Sequence, residues 1–312
     1  MGVYNSLISR SDAAALIPEA TSKEIIQGVT EQSKVLQLFR KLPNMPSSRT
    51  RMPVLSSMPT AYFVTGDTGL KQSTKISWAN KYLDAEEIAC IVPIPEAVLD
   101  DADYDIWGEV KPRIMEAFGN VIDGAVLFGV NKPAAWPTDI VAGATAAGIK
   151  VTEGDGVDLV EDCNLLMSAV EDCGFDVTGF VGDIIMKGKF RGLRDANGGM
   201  IFVPSVTAGT PNTLFGQTIQ YNKLGYWDNT KAKLIAGDFS QAVYSMRQDI
   251  TYKVLDQAVI QDEAGAIIYN LAQQDMVALR CVMRLAWQLP NPINARKEVE
   301  ATRYPFAVYL PK

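Results

Sequence analysis

The sharpest alternation of apolar and polar positions lies near the C-terminus. Val277, Leu279, Cys281, Met283, Leu285 and Trp287 fall on one side of an extended segment, with Arg280 and Arg284 on the other. A period of two turns successive side chains to opposite faces, so this run predicts a strand with one core face and one partner or solvent face. A shorter alternation, Phe306, Val308 and Leu310, follows a polar loop from Pro290 to Tyr304. A helical period governs Ile106, Val110, Ile114, Ala117, Val121 and Ala125, predicting a long amphipathic helix that ends near Gly129. Pro112 lacks a backbone donor and should kink or delay it. The acids of Asp100-Asp101-Ala102-Asp103-Tyr104-Asp105 resemble a calcium loop at first. A loop opening at Asp101 would need Gly and Glu where this chain has Ile106 and Pro112, so capping of the helix and its positive dipole end is expected instead.

Residues 133–250 alternate between helical and extended patterns. Val157 to Val170 places Leu159, Cys163, Leu166 and Val170 on one helical face and stops at Gly174, a residue suited to a left-handed cap. A strand near Phe175 to Val181 follows, then a helix from Asp183 to Leu193 and a turn at Asp195-Ala196-Asn197-Gly198-Gly199. Further strands are expected at Leu214 to Gln220, Leu234 to Ala236, Ala242 to Met246 and Ile250 to Leu255.

The N-terminal third is less self-sufficient. Residues 1–50 carry a helical patch from Lys23 to Leu42 and a Ser, Pro and Arg cluster around Pro43 to Pro53, too few apolar residues for a core of their own. From Arg51 to Pro95 the chain is β-like, with a polar turn at Gly66-Asp67-Thr68-Gly69. This predicts a long two-stranded excursion. An isolated two-stranded ribbon is marginal in water, so it needs a further surface, with a neighbouring subunit the natural candidate.

Composition narrows the chemistry. The chain has 312 residues, 47% hydrophobic and 21% charged, with a net charge of −7. Ordinary globular usage follows, without the clustered cations that nucleic acid or anionic lipid would require. Its apolar runs fall far short of the roughly 20 residues that cross a bilayer, and MGVYNSLISRSDAAALIPEA lacks the charged start and apolar centre of a signal peptide. Histidine is absent, which removes Ser-His-Asp and Cys-His catalysis and imidazole metal sites. Carboxylate or lysine chemistry survives on paper. The four cysteines, Cys90, Cys163, Cys173 and Cys281, are scattered; free buried thiols are expected, with a Cys163 to Cys173 disulfide left open. The glycines of Gly179-Phe-Val-Gly-Asp and Gly237-Asp-Phe-Ser lack phosphate-loop spacing, and no cofactor or metal is expected. Arg280 and Arg284 suit ion pairs within or between subunits, and Trp78 suits a packing anchor.

Four stretches in order resemble the major capsid proteins of tailed bacteriophages of the HK97 type. They are Val92-Pro-Ile-Pro-Glu-Ala-Val-Leu-Asp-Asp-Ala with the helix to Gly129; Val181 to Phe202; Leu234-Ile-Ala-Gly-Asp-Phe-Ser-Gln-Ala-Val-Tyr; and Met276-Val-Ala-Leu-Arg-Cys-Val-Met-Arg-Leu-Ala with Pro305-Phe-Ala-Val-Tyr-Leu as a closing pair of strands. The resemblance implies an α+β, HK97-like capsid fold. Its parts would be an N-terminal arm (1–50), a strand and extended β-hairpin loop (51–95, tip about 56–80), a peripheral domain with a long spine helix (96–132 and 251–312) and an axial α/β domain (133–250). It implies a non-enzymatic subunit that assembles as pentamers and hexamers into an icosahedral head around double-stranded DNA, built in the host cytoplasm and ending in the virion. A separate scaffolding protein is expected because nothing precedes Met1, with a portal and a decoration protein as further partners and no membrane. Some relatives cross-link a loop lysine to an asparagine with help from a glutamate. Asp275 and Val282 stand at those two positions, so Lys71 and Lys75 lack acceptor and acid, and a non-covalent shell is expected. Lys71, Trp78, Arg280 and Arg284 are the expected subunit contacts. An encapsulin-type nanocompartment shell is the nearest alternative, and a carboxylate- or lysine-based enzyme a remote one.

Overall fold

The computed structural model describes residues 33–64, 70–101, 106–194, 197–199, 213–223, 225–262 and 264–312. In chain order they form α1 (Lys34–Leu38), β1 (Arg40–Lys41), β2 (Arg49–Ser57), β3 (Ser77–Asp84), β4 (Glu86–Pro95), α2 (Glu96–Asp101) and α3 (Ile106–Phe128). Next come α4 (Ile140–Ala146), β5 (Lys150–Thr152), α5 (Leu159–Glu171), β6 (Gly179–Asp183), α6 (Ile184–Gly192), β7 (Thr213–Leu214), β8 (Gln217–Asn222) and β9 (Leu234–Gly237). The chain closes with β10 (Val243–Leu255), β11 (Val259–Gln261), β12 (Ile267–Asn270), β13 (Met276–Gln288) and β14 (Phe306–Leu310).

Two sheets and two hairpins result. A four-stranded sheet runs β1-β10-β13-β4 and a six-stranded sheet runs β5-β14-β9-β6-β8-β7, while β2–β3 and β11–β12 are separate antiparallel pairs. The alternating face of β13 explains the first sheet. Leu279, Cys281, Met283, Leu285 and Trp287 share one core with Ile114, Phe118, Ile122 and Ala125 of α3. Each of the leucine, isoleucine, methionine and phenylalanine side chains contributes roughly 1.5–3 kcal/mol on burial. In the second sheet, Phe180, Leu234 and Tyr309 pack under Cys163, Leu166 and Val170 of α5 and Met186 and Phe190 of α6. Gly237 is required where β9 meets β14: a Cβ there would lie 2.3 Å from the Phe306 ring.

Several expected boundaries move. Ala242 to Met246 and Ile250 to Leu255 belong to one bulged strand, β10, so residues 243–250 sit in the four-stranded sheet and not with the 133–250 segment. Phe306–Leu310 does not pair with β13; it inserts between β5 and β9 in the six-stranded sheet, where a fully apolar strand is covered on both faces. Ile88 to Ile94 is no part of the excursion, since β4 pairs with β13 along its length. The strand expected at Phe175 starts at Gly179. The buried stripe of α3 is Ile114, Phe118, Ile122 and Ala125, whereas Ala117 and Val121 are exposed. Pro112 is the seventh residue of α3, past the first turn, so it removes one i→i−4 bond inside the helix and does not delay the start at Ile106. Helix ends at Gly129 and Gly174 are as expected, with φ of +70° and +78°. Of the patch from Lys23 to Leu42, only Lys34–Leu38 is helical among the described residues, and the chain then extends to pair with β10. The four cysteines are free thiols. The Gly66 turn and most of the acidic run before α3 lie outside the described residues.

One ionic tie crosses the end of the six-stranded sheet. Glu153 accepts from Lys233 and, at 2.9 Å, from Lys189 of α6, and these bonds hold its carboxyl down to about 2. A depressed carboxylate contributes stability above its unfolded value and loses it as pH falls through the folded one. Stability should therefore drop between pH 4.5 and about 2. Glu153→Gln should flatten that limb of a denaturant-midpoint curve; an unchanged limb refutes the assignment.

Candidate subunit-contact site

The β2–β3 hairpin is anchored at its base and along one side. Ala85 N–H donates to Ser48 carbonyl at 2.8 Å, and the Arg49 guanidinium pairs with Asp84 at 3.2 Å while lying 4.1 Å from the Tyr82 ring. The loop after β13 holds one side: Ile293 N–H donates to Leu55 carbonyl at 3.2 Å, and Lys81 Nζ meets Glu300 at 2.6 Å. Farther out, the Ser77 hydroxyl bonds those of Ser56 and Ser57. There Trp78 is 65% exposed, Leu70 90% and Phe63 fully, with Met58, Tyr62 and Ile76 also in solvent. Leaving such side chains hydrated forfeits roughly 1.5–3 kcal/mol each. Lys71, in the same outer stretch, is exposed.

Arg280 and Arg284 project from β13, away from α3. Arg284 is spent inside the subunit, bonding Glu87 of β4 at 2.5 and 2.7 Å. Arg280 sits between Ile91 and Lys253 in register and has no carboxylate partner among the described residues. The arginine face of β13 is less open than its alternation suggests, because Ala278, Val282 and Ala286 on the same side are buried, Ala286 under Met45 and Leu83. The four expected contact residues therefore fall on two separate surfaces, the hairpin and the back of β13.

Two features escape the sequence reading. The β11–β12 hairpin exposes Val259, Ile267, Ile268 and Tyr269, and its signal was available: Gln261-Asp-Glu-Ala-Gly is a turn between two apolar runs. Asp123, fully buried in α3, binds the start of α1. Its carboxylate accepts from Ser33 Oγ at 2.5 Å, Lys34 N–H at 2.7 Å, Val35 N–H at 3.1 Å and Tyr226 Oη at 2.9 Å. Helix-opening amides otherwise lack partners, and Ser33 caps Leu36 N–H in turn. Burial pushes the Asp123 carboxyl up, against the pull of these donors. A lone acid among apolar neighbours in Val121-Ile-Asp-Gly-Ala-Val is its sequence trace. Asp123→Ala would strand four donors, and a loss of about 3 kcal/mol is expected in urea unfolding; an unshifted midpoint refutes it.

Chemistry is sparse elsewhere. Among the described residues no His, Cys, Asp and Glu cluster could hold a metal, and no helix is long and apolar enough to cross a membrane. Cys163 is pushed up to about 12 by burial and by the charges of Asp162 and Asp158, which leaves it a poor nucleophile.

A well-packed pair of sheets carrying outward apolar extensions is the architecture of a structural subunit. The profile of the phage capsid family matches residues 13–296, and the chain belongs to that family. It is thus a capsid structural protein with the α+β HK97-like fold, a component of the virion, and its family is not one of enzymes. The major capsid protein of Staphylococcus phage 80alpha is 27% identical over 304 residues, 96% of this chain and 89% of that one. A solved chain from Microbacterium phage Oxtober96 superposes with a TM-score of 0.87 at 40% identity, covering 98% of this chain and 100% of that one. One from Mycobacterium phage Cain gives 0.85 at 34%, covering 98% and 99%.

Proposed function

We propose that copies of this chain form pentamers and hexamers that close into an icosahedral shell around double-stranded DNA. The observation that carries it is the exposure of Phe63, Leu70 and Trp78, which the described chain leaves largely uncovered and which a neighbouring subunit would bury. In this reading the four-stranded sheet with α3 is the peripheral domain and its spine, the six-stranded sheet is the axial domain, and residues 1–50 are an arm. Trp78 and Lys71 meet a neighbour through the hairpin and Arg280 through the back of β13, while Arg284 positions β4. A net charge of −7 suits a lumen from which DNA is released without strong adhesion. The shell is non-covalent, forms in the host cytoplasm, and takes a separate scaffolding protein, a portal and a decoration protein as partners.

The test is sedimentation of the expressed chain over a range of concentrations, with and without the scaffolding protein, and electron micrographs of the fast fraction. Closed particles or five- and six-membered rings are expected, with DNA inside those from infected cells and a single monomer band on a denaturing gel. A monomer at every concentration sinks the reading; a cargo enzyme inside moves it to the nanocompartment, and a ladder of multimers overturns the non-covalent shell.

A further inference from the structure

Charge is sharply segregated across the six-stranded sheet. From Val151 to Met186 the chain carries nine carboxylates and no lysine or arginine; from Lys187 to Arg194 it carries four cations and no carboxylate. Both segments end on one face, since α5 and α6 share a single apolar cluster, but at opposite flanks. α5 lies over β5, β14 and β9, whereas α6 lies over β6 and β8. Each flank ends in a short open edge, β5 with three residues and β7 with two.

Internal pairing uses only part of this charge. Glu153 is taken by Lys189 and Lys233, Asp172 by Arg296, and Asp162 is buried against backbone amides and Tyr309. Asp155, Asp158 and Glu161 remain exposed at the start of α5 and bond only to backbone amides. On the other flank Lys187 lies over the Tyr221 ring, Arg194 donates to two carbonyls, and neither they nor Arg191 has a carboxylate partner among the described residues. Lys187 and Arg191 are four apart on one helix, a like-charge spacing that is mildly unfavourable in isolation. The helix dipole accounts for the sign of each cluster. It does not account for the apolar Val157, 95% exposed among the acids.

We propose that the acidic flank of one subunit, Asp155, Asp158 and Glu161 around Val157, docks on the basic flank of the next copy, Lys187 and Arg191 on one face of α6. The contact rests on the shell reading above and adds which surfaces meet within a ring. Two different patches of one chain that complement each other make a heterologous contact, and repeated rotation closes such a contact into a ring. Opposed charges also fix which way round the subunits meet.

The test is a charge swap in the full chain. Lys187→Glu with Arg191→Glu, and separately Asp155→Lys with Glu161→Lys, should each lower the assembled fraction at least about tenfold by placing like charges face to face. All four changes in one chain should restore assembly, because each altered flank then meets the other from its neighbour. Thermal melts of the dilute, unassembled variants keep misfolding from passing as lost contact. Wild-type rings together with unaffected single-flank variants, or folded variants that the four-fold swap does not rescue, overturn the contact alone. A wild-type chain that forms no rings overturns it together with the shell reading. Variant shells that form normally but retain less DNA would assign α6 to the polyanion, and overturn the contact as well.

Discussion

Trp78→Ala is expected to leave the melting curve of the unassembled subunit unchanged while cutting the yield of closed particles by more than an order of magnitude. The reasoning starts from position. Trp78 lies on β3 opposite Leu55, 65% exposed, level with the outermost tie to the loop after β13, the Ile293 bond to Leu55. Its removal deletes little that the folded subunit buries. A tryptophan anchor seated in a partner is among the side chains that dominate interface energetics, with truncation costing about 2 kcal/mol or more. At 1.4 kcal/mol per decade that is roughly 30-fold per contact, and a closed shell repeats the contact in every subunit. Trp78→Phe should keep part of the yield. A fall in melting temperature with normal shells would mean that Trp78 serves its own subunit, and the hairpin would lose its role as a contact.

Arg303→Ala should have the opposite signature, a large loss of subunit stability that precedes any effect on assembly. Arg303 is 3% exposed, and its guanidinium is a hub of carbonyls: Lys297 at 2.7 Å, Glu298 at 2.8 Å and Asn291 at 3.0 Å, with the Asn291 side chain at 3.2 Å. Asn291 returns a bond to the Arg303 carbonyl at 2.7 Å. The loop so folded reaches two other elements. Asn294 and Arg296 cap the end of α5 through the carbonyls of Cys173 and Asp172, while Ile293 and Glu300 hold the hairpin base. Alanine would strand several buried acceptors at once, a cost of about 3–5 kcal/mol, or roughly 5–8 °C in melting temperature for a chain of this size. Lysine should not rescue it, because one ammonium cannot replace a planar fork aimed at separate carbonyls. Retained stability in either variant would refute the hub.

Local periodicity carried much of the architecture. The core face of β13, the helical runs of α3 and α5 and the caps at Gly129 and Gly174 follow from spacing alone, because a buried face imposes its period on the chain that forms it. The same logic marked the hairpin as a segment short of core-forming residues, and Trp78 on it is 65% exposed. Where a residue's role depends on what lies across from it, spacing was silent. Arg280 and Arg284 look alike in sequence; only the register of β4 against β13 puts Glu87 beside one and leaves the other next to Lys253.

Asp123 and Arg303 show the same limit from the inside. Their partners are 88 to 90 positions away for the arm and a folded loop's carbonyls for the arginine, neither of which leaves a pattern in the side-chain order. Phe306–Leu310 is the clearest case. Its apolar alternation established a strand, but pairing with β5 and β9 in place of β13 was settled by which sheet had a slot buried on both faces. The sequence by itself determined most of the elements and the absence of histidine chemistry, since these rest on residue type and local period. Tertiary structure alone decided strand partners, the ion pairs and the separation of the acidic and basic flanks, since a strand's period names its faces but not its neighbour.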